Sequence, residues 1–331
     1  MAIRVGVVGA GSWGTTVASM AALNTPTLLW ARNPKTTAVI NETHRNPTYL
    51  ADRALPDELR ASSTLEEVVS AADVVVMAVP SQGFRGVLHD AAPFIRPWVP
   101  IVSLTKGLEG GTGKRMTEVI ADELPGHPAA VLTGPNLAKE IMDGQPAASV
   151  VAIDDDTIAR ELQRIFSNPR LLVYTNPDVV GCEVGGVVKN VIAIAAGMAA
   201  GMGFGDNTRA TIITRGLAEM ARLGTALGGV PLTFAGLAGM GDLIATCSSL
   251  QSRNTQVGLA LGRGERIEDV LASMQMVAEG VKSSATVRDL ALRLDVEMPI
   301  TEQVAAVCHE GVSANDALID LLSRGGRSEL D

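Results

Sequence analysis

Aromatic residues are scarce in this sequence: phenylalanine, tyrosine and tryptophan make up 3% of its 331 residues. So few rings leave little on which nucleic-acid bases could stack. The formal net charge of −9 also argues against the clustered cations of a nucleic-acid groove. Cysteine is thin as well. Cys182, Cys247 and Cys308 are odd in number, widely spaced and form no CxxC, a pattern that fits a reducing, cytoplasmic setting. The four histidines, His44, His89, His127 and His309, show no metal-ligand spacing with one another or with the cysteines, so no metal is expected. The start, MAIRVGVVGAG, lacks the long apolar region of a signal peptide. What the chain does have is 47% hydrophobic against 19% charged residues, a globular balance with no case for disorder. Its length admits two domains.

An acidic protein that handles an anion must do so with a few local cations, which makes individual lysines and arginines informative. The most apolar stretch, GCEVGGVVKNVIAIAAGMAAGMGFGD (181–206), encloses Lys189 and Asn190. A membrane-spanning helix needs about 20 apolar residues. The uncharged run from Val191 to Phe204 is shorter than that, and Gly197, Gly201 and Gly203 dilute it. We expect a buried helix and no membrane span.

Two grammars divide the chain. Residues 1–180 alternate short β-branched runs (3–9, 27–32, 73–80, 100–107, 129–135, 148–153, 171–175) with helical patterns. In one of these, TLEEVVSAA (64–72), Thr64 and Glu67 have the spacing of a capping box. Continuous apolar strands separated by helices predict a mostly parallel sheet covered on both faces. From 181 onward, helix-length patterns dominate: 182–202, 207–227, 253–261, 267–274, 283–294, 301–309 and 313–322, with Asn207 as an N-cap and Gly224 as a terminator. The expected architecture is an α/β Rossmann-type doubly wound sheet over 1–180, an all-α domain over 181–324 and a loose tail over 325–331.

VGVVGAGSWG sets Gly9, Gly11 and Gly14 as GxGxxG directly after the first strand and at the head of a helix. The first glycine permits the tight turn, the second lets a pyrophosphate approach the backbone, and the third allows close helix–strand packing. The helix N-terminus adds N–H donors and partial positive charge. Ser12 and Trp13 occupy the loop tip, where they could touch phosphates or ribose. NAD sites usually place a carboxylate about 20 residues further on, for the ribose 2′-OH. Here the second strand ends LLWARNPK, with Arg32 near that position and Lys35 just beyond. A cation suits a 2′-phosphate, so NADP(H) is expected as the preferred cofactor with NAD(H) also accepted; an ordinary solvated arginine is the alternative.

Polar groups appear where packing alone would not ask for them. Lys106 (SLTKGLE) ends a strand that otherwise reads as buried, and Gly134, Pro135 and Asn136 (LTGPNLAKE) form a turn after the next. Strand C-termini are where ligands sit in such sheets. GLAGMGDLIATCSSLQSRN carries Asp242, Thr246, Cys247, Ser252, Arg253 and Asn254. These stretches, with GAGSWGT, AVPSQ, VGGVVKNVIAIAAGM, GFGDNTRATIITRGLAEM and EMPITE, run in order through nearly the whole chain. In them the sequence resembles the bacterial NAD(P)-dependent glycerol-3-phosphate dehydrogenases. The resemblance implies reduction of dihydroxyacetone phosphate to sn-glycerol 3-phosphate for phospholipid synthesis. It implies Lys189 as the catalytic acid/base and Lys106 in contact with both substrate and nicotinamide. It adds Asn254 to the substrate site, extends Arg253 to the cofactor, and puts Ala138, Val277 and Glu279 on the cofactor. Asn136 is a departure, since many relatives carry a small hydroxyl residue after Gly-Pro.

The residue chemistry points the same way. A ketone accepting hydride develops negative charge on its oxygen, so a proton donor and cations must surround it. Burial lowers a lysine's pKa, and Lys106 nearby would lower that of Lys189 further; a snorkelling lysine is the alternative. Asp242 balances the ammonium groups, Thr246 hydrogen-bonds the cluster, and the planar fork of Arg253 matches phosphate oxygens. Ser252 near a helix cap could add N–H groups to that anion site. The glycines of GLAGMGD also read as helix–helix contacts. Cys247 lacks a dedicated base and reads as a small apolar residue rather than a nucleophile. A dehydrogenase for another small acid or imine, or a non-catalytic redox sensor, are the rival functions. Apolar faces in the helical half leave a homodimer open.

Overall fold

The computed structural model describes residues 2–274 and 277–324; the expected tail at 325–331 lies outside them. Eight strands form one sheet: β1 (Val5–Val8), β2 (Thr27–Trp30), β3 (Arg60–Ser62), β4 (Val74–Met77), β5 (Ile101–Ser103), β6 (Ala129–Thr133), β7 (Ala147–Ala152) and β8 (Leu171–Asn176). Their order is β3-β2-β1-β4-β5-β6-β7-β8. All neighbours run parallel except β6 and β7. The chain turns from one side of β1 to the other between β2 and β4, which creates the switch point of a doubly wound fold.

Strand β1 shows how the alternation works. Val5 and Val7 enter one apolar cluster, with helices Ser12–Ala22 and Asp156–Phe166; Val8 enters the other, with helices Ser81–Ala91 and Met116–Glu123. Gly6 lies between them because helix Leu65–Ser70 crosses directly over it: a Cβ there would fall 2.4 Å from the Val68 carbonyl. β3 is the strand that the apolar pattern missed, since Arg-Ala-Ser is short, half polar and at the sheet edge.

The second domain is helical and is built around Val179–Gly201, whose residues are buried without a break from Gly181 to Ala199. By length and composition this helix could cross a membrane, yet 89% of its most apolar window is buried inside the protein. A helix that is apolar all round needs cover on every side. Its neighbours are Asp206–Ala226, Asp242–Ser248, Arg253–Gly262, Glu279–Arg293 and Pro299–His309. The glycines that dilute the run explain the closest crossing. Gly197 and Gly201 lie against Gly258 and Gly262, and a Cβ on any of the four would come within 2.1–2.3 Å of a backbone carbonyl oxygen.

Three local expectations are corrected. Helix Asp206–Ala226 is capped by Gly205 rather than Asn207. Gly224 lies inside that helix, not past its end, because the Phe234 ring occupies the place of its side chain. Thr64 is an N-cap whose side chain makes no capping bond; Glu67 is turned away to accept from the Ser62 hydroxyl.

Candidate functional site

The helical domain faces the C-terminal ends of the central strands. After β5 the chain leaves the sheet at Lys106, whose ammonium donates to the Gly134 carbonyl at 2.9 Å, just beyond β6, and to Asp242 Oδ2 at 2.6 Å. Asp242 begins helix Asp242–Ser248 and is 1% exposed. Its other oxygen lies 3.0 Å from the ammonium of Lys189, and Lys189 donates to Thr246 Oγ1 at 2.7 Å. One carboxylate thus holds two amines from two domains. Lys189 is 7% exposed and points inward, so the snorkelling alternative does not describe it.

The electrostatics follow from that packing. Burial pushes the Asp242 carboxyl up, but Lys106 and Lys189 outweigh it and leave its pKa below the usual value. For Lys106, burial is the largest influence; with the charge of Lys189 it overcomes the attraction of Asp242 and brings the amine to about 8. Glu279 is also buried, and its pKa is raised by desolvation despite a bond from the Ser81 N–H and the nearby Arg253, Lys189 and Lys106. Cys247 is a thiol, since burial pushes it up to about 12. That is the opposite of an activated nucleophile.

Around this centre runs an amide chain. Asn190, one residue after Lys189, donates to the Lys106 carbonyl at 3.0 Å and accepts from Asn254 at 2.8 Å. Asn254 accepts from the Gly280 N–H at 3.0 Å. Ser252 caps helix Arg253–Gly262 by accepting from the Thr255 N–H. Arg253, the first residue of that helix, is exposed and donates to the Val277 carbonyl at 2.6 Å. Arg253, Val277 and Glu279 therefore share one edge of the seam. Ala138 opens the short helix Ala138–Met142 that follows the Gly134–Asn136 turn.

The glycine loop has the shape its motif requires. Gly9 has φ +120, a conformation that disfavours side chains. A Cβ on Gly14 would fall 2.0 Å from the Gly9 carbonyl oxygen, so helix and loop are in backbone contact. Gly11 has open space where its side chain would be, and it caps helix Ser12–Ala22. The open backbone at a helix N-terminus fits a pyrophosphate. Trp13 packs partly buried against the core, with its Nε1 donor buried and unpartnered among the described residues. Arg32 is exposed, 6.0 Å from the centre of the Trp30 ring, and makes no ion pair among the described residues. Lys35 is exposed beyond it.

Several participants carried no sequence signal for a role in the seam. Ser149, wholly buried on β7, donates to Asn136 Oδ1 at 2.7 Å. Thr133 Oγ1 and Asn136 Nδ2 are buried and unpartnered among the described residues. Glu183 accepts from Arg115 and from the Thr117 N–H, which ties the long helix to the sheet domain. A serine in a strand is too common to single out in one sequence, and the partners of Glu183, Arg115 and Thr117, lie far from it along the chain.

A Rossmann sheet, an open glycine cradle and a lysine pair that meets on one buried carboxylate of an all-helical domain define a two-domain nicotinamide-dependent dehydrogenase. Comparison with known proteins narrows the class. Models described as the N-terminus and C-terminus of NAD-dependent glycerol-3-phosphate dehydrogenase match residues 4–159 and 178–319. The chain is 57% identical to glycerol-3-phosphate dehydrogenase [NAD(P)+] 2 of Sphingopyxis alaskensis over 97% of both chains. It is 51% identical to the glycerol-3-phosphate dehydrogenase [NAD(P)+] of Mycobacterium avium, over 97% of this chain and 94% of the relative. The crystal structure of glycerol-3-phosphate dehydrogenase from Coxiella burnetii superposes with a TM-score of 0.93 at 36% identity, over 98% of this chain and 99% of that one. The chain belongs to the NAD-dependent glycerol-3-phosphate dehydrogenase family.

Proposed function

We propose that the chain catalyses the reversible NAD(P)H-dependent reduction of dihydroxyacetone phosphate to sn-glycerol 3-phosphate, in the cytoplasm, as a supply for glycerophospholipid synthesis. The observation that carries this reading is the convergence of Lys106 and Lys189 on Asp242 where the two domains meet. The domains divide near residue 180, into 1–180 and 181–324. Exposed Val230 and Leu232 on the helical side support a homodimer.

The bound nicotinamide supplies or accepts the hydride. Gly9, Gly11, Ser12, Trp13 and Gly14 would hold its pyrophosphate end, with Arg32 at the ribose and Lys106, Ala138, Arg253, Val277 and Glu279 toward the nicotinamide. Lys189, paired with Asp242 and oriented by Thr246, donates its proton to the substrate carbonyl oxygen as charge develops there. In the oxidative direction the same amine takes the proton back. Lys106 and Asp242 position the substrate, with Gly134, Asn136, Ser252 and Asn254 around it, and Arg253 clamps the phosphate through its planar fork. Removing the proton on Lys189 would leave the alkoxide uncompensated in a buried site, so the reaction depends on that amine.

Mixing the enzyme with NADPH and dihydroxyacetone phosphate and following nicotinamide absorbance tests the activity directly; no cofactor oxidation at micromolar enzyme contradicts it. The same assay with NADH tests cofactor choice. The exposed Arg32 and the absence of a carboxylate at residues 27–32 support NADPH as the better substrate, with NADH also used.

A further inference from the structure

The structure gives Asn136, in the turn after β6, a support of its own. Gly134 has φ +128, and a Cβ there would lie 3.2 Å from Ser149 Cα, so the turn after β6 lies flat on β7. β6 and β7 are antiparallel, with Thr133 opposite Val150, which brings Ser149 beneath the turn. Its hydroxyl meets Asn136 Oδ1 at 2.7 Å. With the amide oxygen occupied in this way, Nδ2 is left buried and unpartnered. The same turn supplies the Gly134 carbonyl that holds Lys106, and Pro135 packs 3.9 Å from the Cβ position of Gly241, next to Asp242.

A buried N–H without an acceptor is costly. A polar ligand rich in oxygens relieves that cost, and a hydroxyl in place of the amide would not reach as far. We propose that Ser149 is a positioning residue that fixes the orientation of the Asn136 amide, so that Nδ2 donates to an acceptor oxygen of the bound phosphorylated ketone. The inference rests on the functional reading above and adds a specificity determinant to it. Ser149 acts through Asn136 and does not touch the substrate itself.

A double-mutant cycle on the full-length enzyme separates this role from strand packing. Ser149→Ala is expected to raise the KM for dihydroxyacetone phosphate about tenfold, with the KM for NADPH and the unfolding midpoint unchanged. In an Asn136→Ala background the same change is expected to have no further effect. Asn136→Asp, which replaces the donor by acceptors and a charge, is expected to raise the KM roughly 100-fold. Asn136→Ser, whose hydroxyl does not reach as far, is expected to raise the KM about tenfold. Should Ser149→Ala fail to fold, Ser149→Cys, which keeps the volume but offers only a weak S–H donor, takes its place in the cycle. An equal Ser149→Ala effect in both backgrounds, a parallel rise in both KM values, or wild-type kinetics for Asn136→Asp would overturn the inference while the functional reading stands. A wild type that does not turn over dihydroxyacetone phosphate removes both.

Discussion

Asp242 decides the charge state of the seam. Its two oxygens are taken by two different ammonium groups, so it offsets a repulsion that would otherwise strip a proton from one of them. Neutralising it removes the attraction that holds the Lys106 amine up against burial, so the Lys106 pKa should fall below about 8, and the sign follows directly. Asp242→Asn is expected to move the basic limb of the kcat/KM–pH profile to lower pH by at least about one unit, a shift that a profile across pH 6–10 measures. A basic limb that stays in place contradicts the assignment of Asp242 as counter-ion. At this scale the sequence was informative where chemistry and packing disagreed. Lys189 stood out because an apolar run has no use for an amine, and Arg253 because it followed a helix cap. Ser149, Thr133 and Glu183 were silent, since their importance lies in what the fold brings beside them and not in their own spacing.

At the scale of elements, the crossing of Val179–Gly201 over Arg253–Gly262 sets Asn190 against Asn254 and so fixes one wall of the site. The crossing depends on four glycines in backbone contact. Gly258→Ala would place a carbon 2.1 Å from the Ile194 carbonyl oxygen, and the helices must then part. We expect a loss of at least about 3 kcal/mol, above the ordinary cost of overpacking, read from urea unfolding. Gly83→Ala and Gly86→Ala provide the contrast, since nothing lies within 4 Å of either Cβ position. Both sit in helix Ser81–Ala91, and each should gain about 0.5–1 kcal/mol. Equal losses at all three positions would contradict the account. The sequence showed helix lengths well, because 3.6-residue periodicity survives in long segments. It misplaced the role of Gly224, since a glycine that terminates a helix and one that admits a ring from a neighbour look alike. It also did not reveal the π-helical turn Leu237–Gly241 that delivers Asp242, because its glycines read equally as contact points.

The outer strand shows how the sheet is closed off. On β8, the Val173 N–H donates to Ser167 and its carbonyl accepts from Gln163, so side chains from the preceding helix and turn occupy an edge that could otherwise recruit another strand.

Across the whole molecule, the fold class was legible because parallel strands are buried on both faces and read as continuous apolar runs, while β6–β7 antiparallel pairing left no mark in composition. Buried carboxylates make the stability of the whole depend on pH. Glu219, between helices Asp206–Ala226 and Pro299–His309, accepts from the N–H groups of Ile300 and Thr301, yet burial pushes its carboxyl from 4.5 up to about 7. Between those values the folded protein holds a proton that the unfolded chain has released, so this contribution to stability is lost as pH rises through that window. Glu219→Gln cannot titrate. Whatever its starting level, its stability relative to the wild type should rise between about pH 5 and pH 8, as followed by thermal unfolding; a constant difference contradicts the argument.

The two domains are joined at the seam by Lys106 and Asp242, by Asn190 and the Lys106 carbonyl, and by Glu279 and the Ser81 N–H. This arrangement has one chemical purpose in the account, which is to present the Lys189 proton to a ketone oxygen. Turnover of dihydroxyacetone phosphate by Lys189→Ala, measured beside its affinity for NADPH, tests that claim most directly. A fall in kcat of roughly 10³-fold or more is expected, with NADPH affinity retained; near-normal turnover would contradict this role for Lys189.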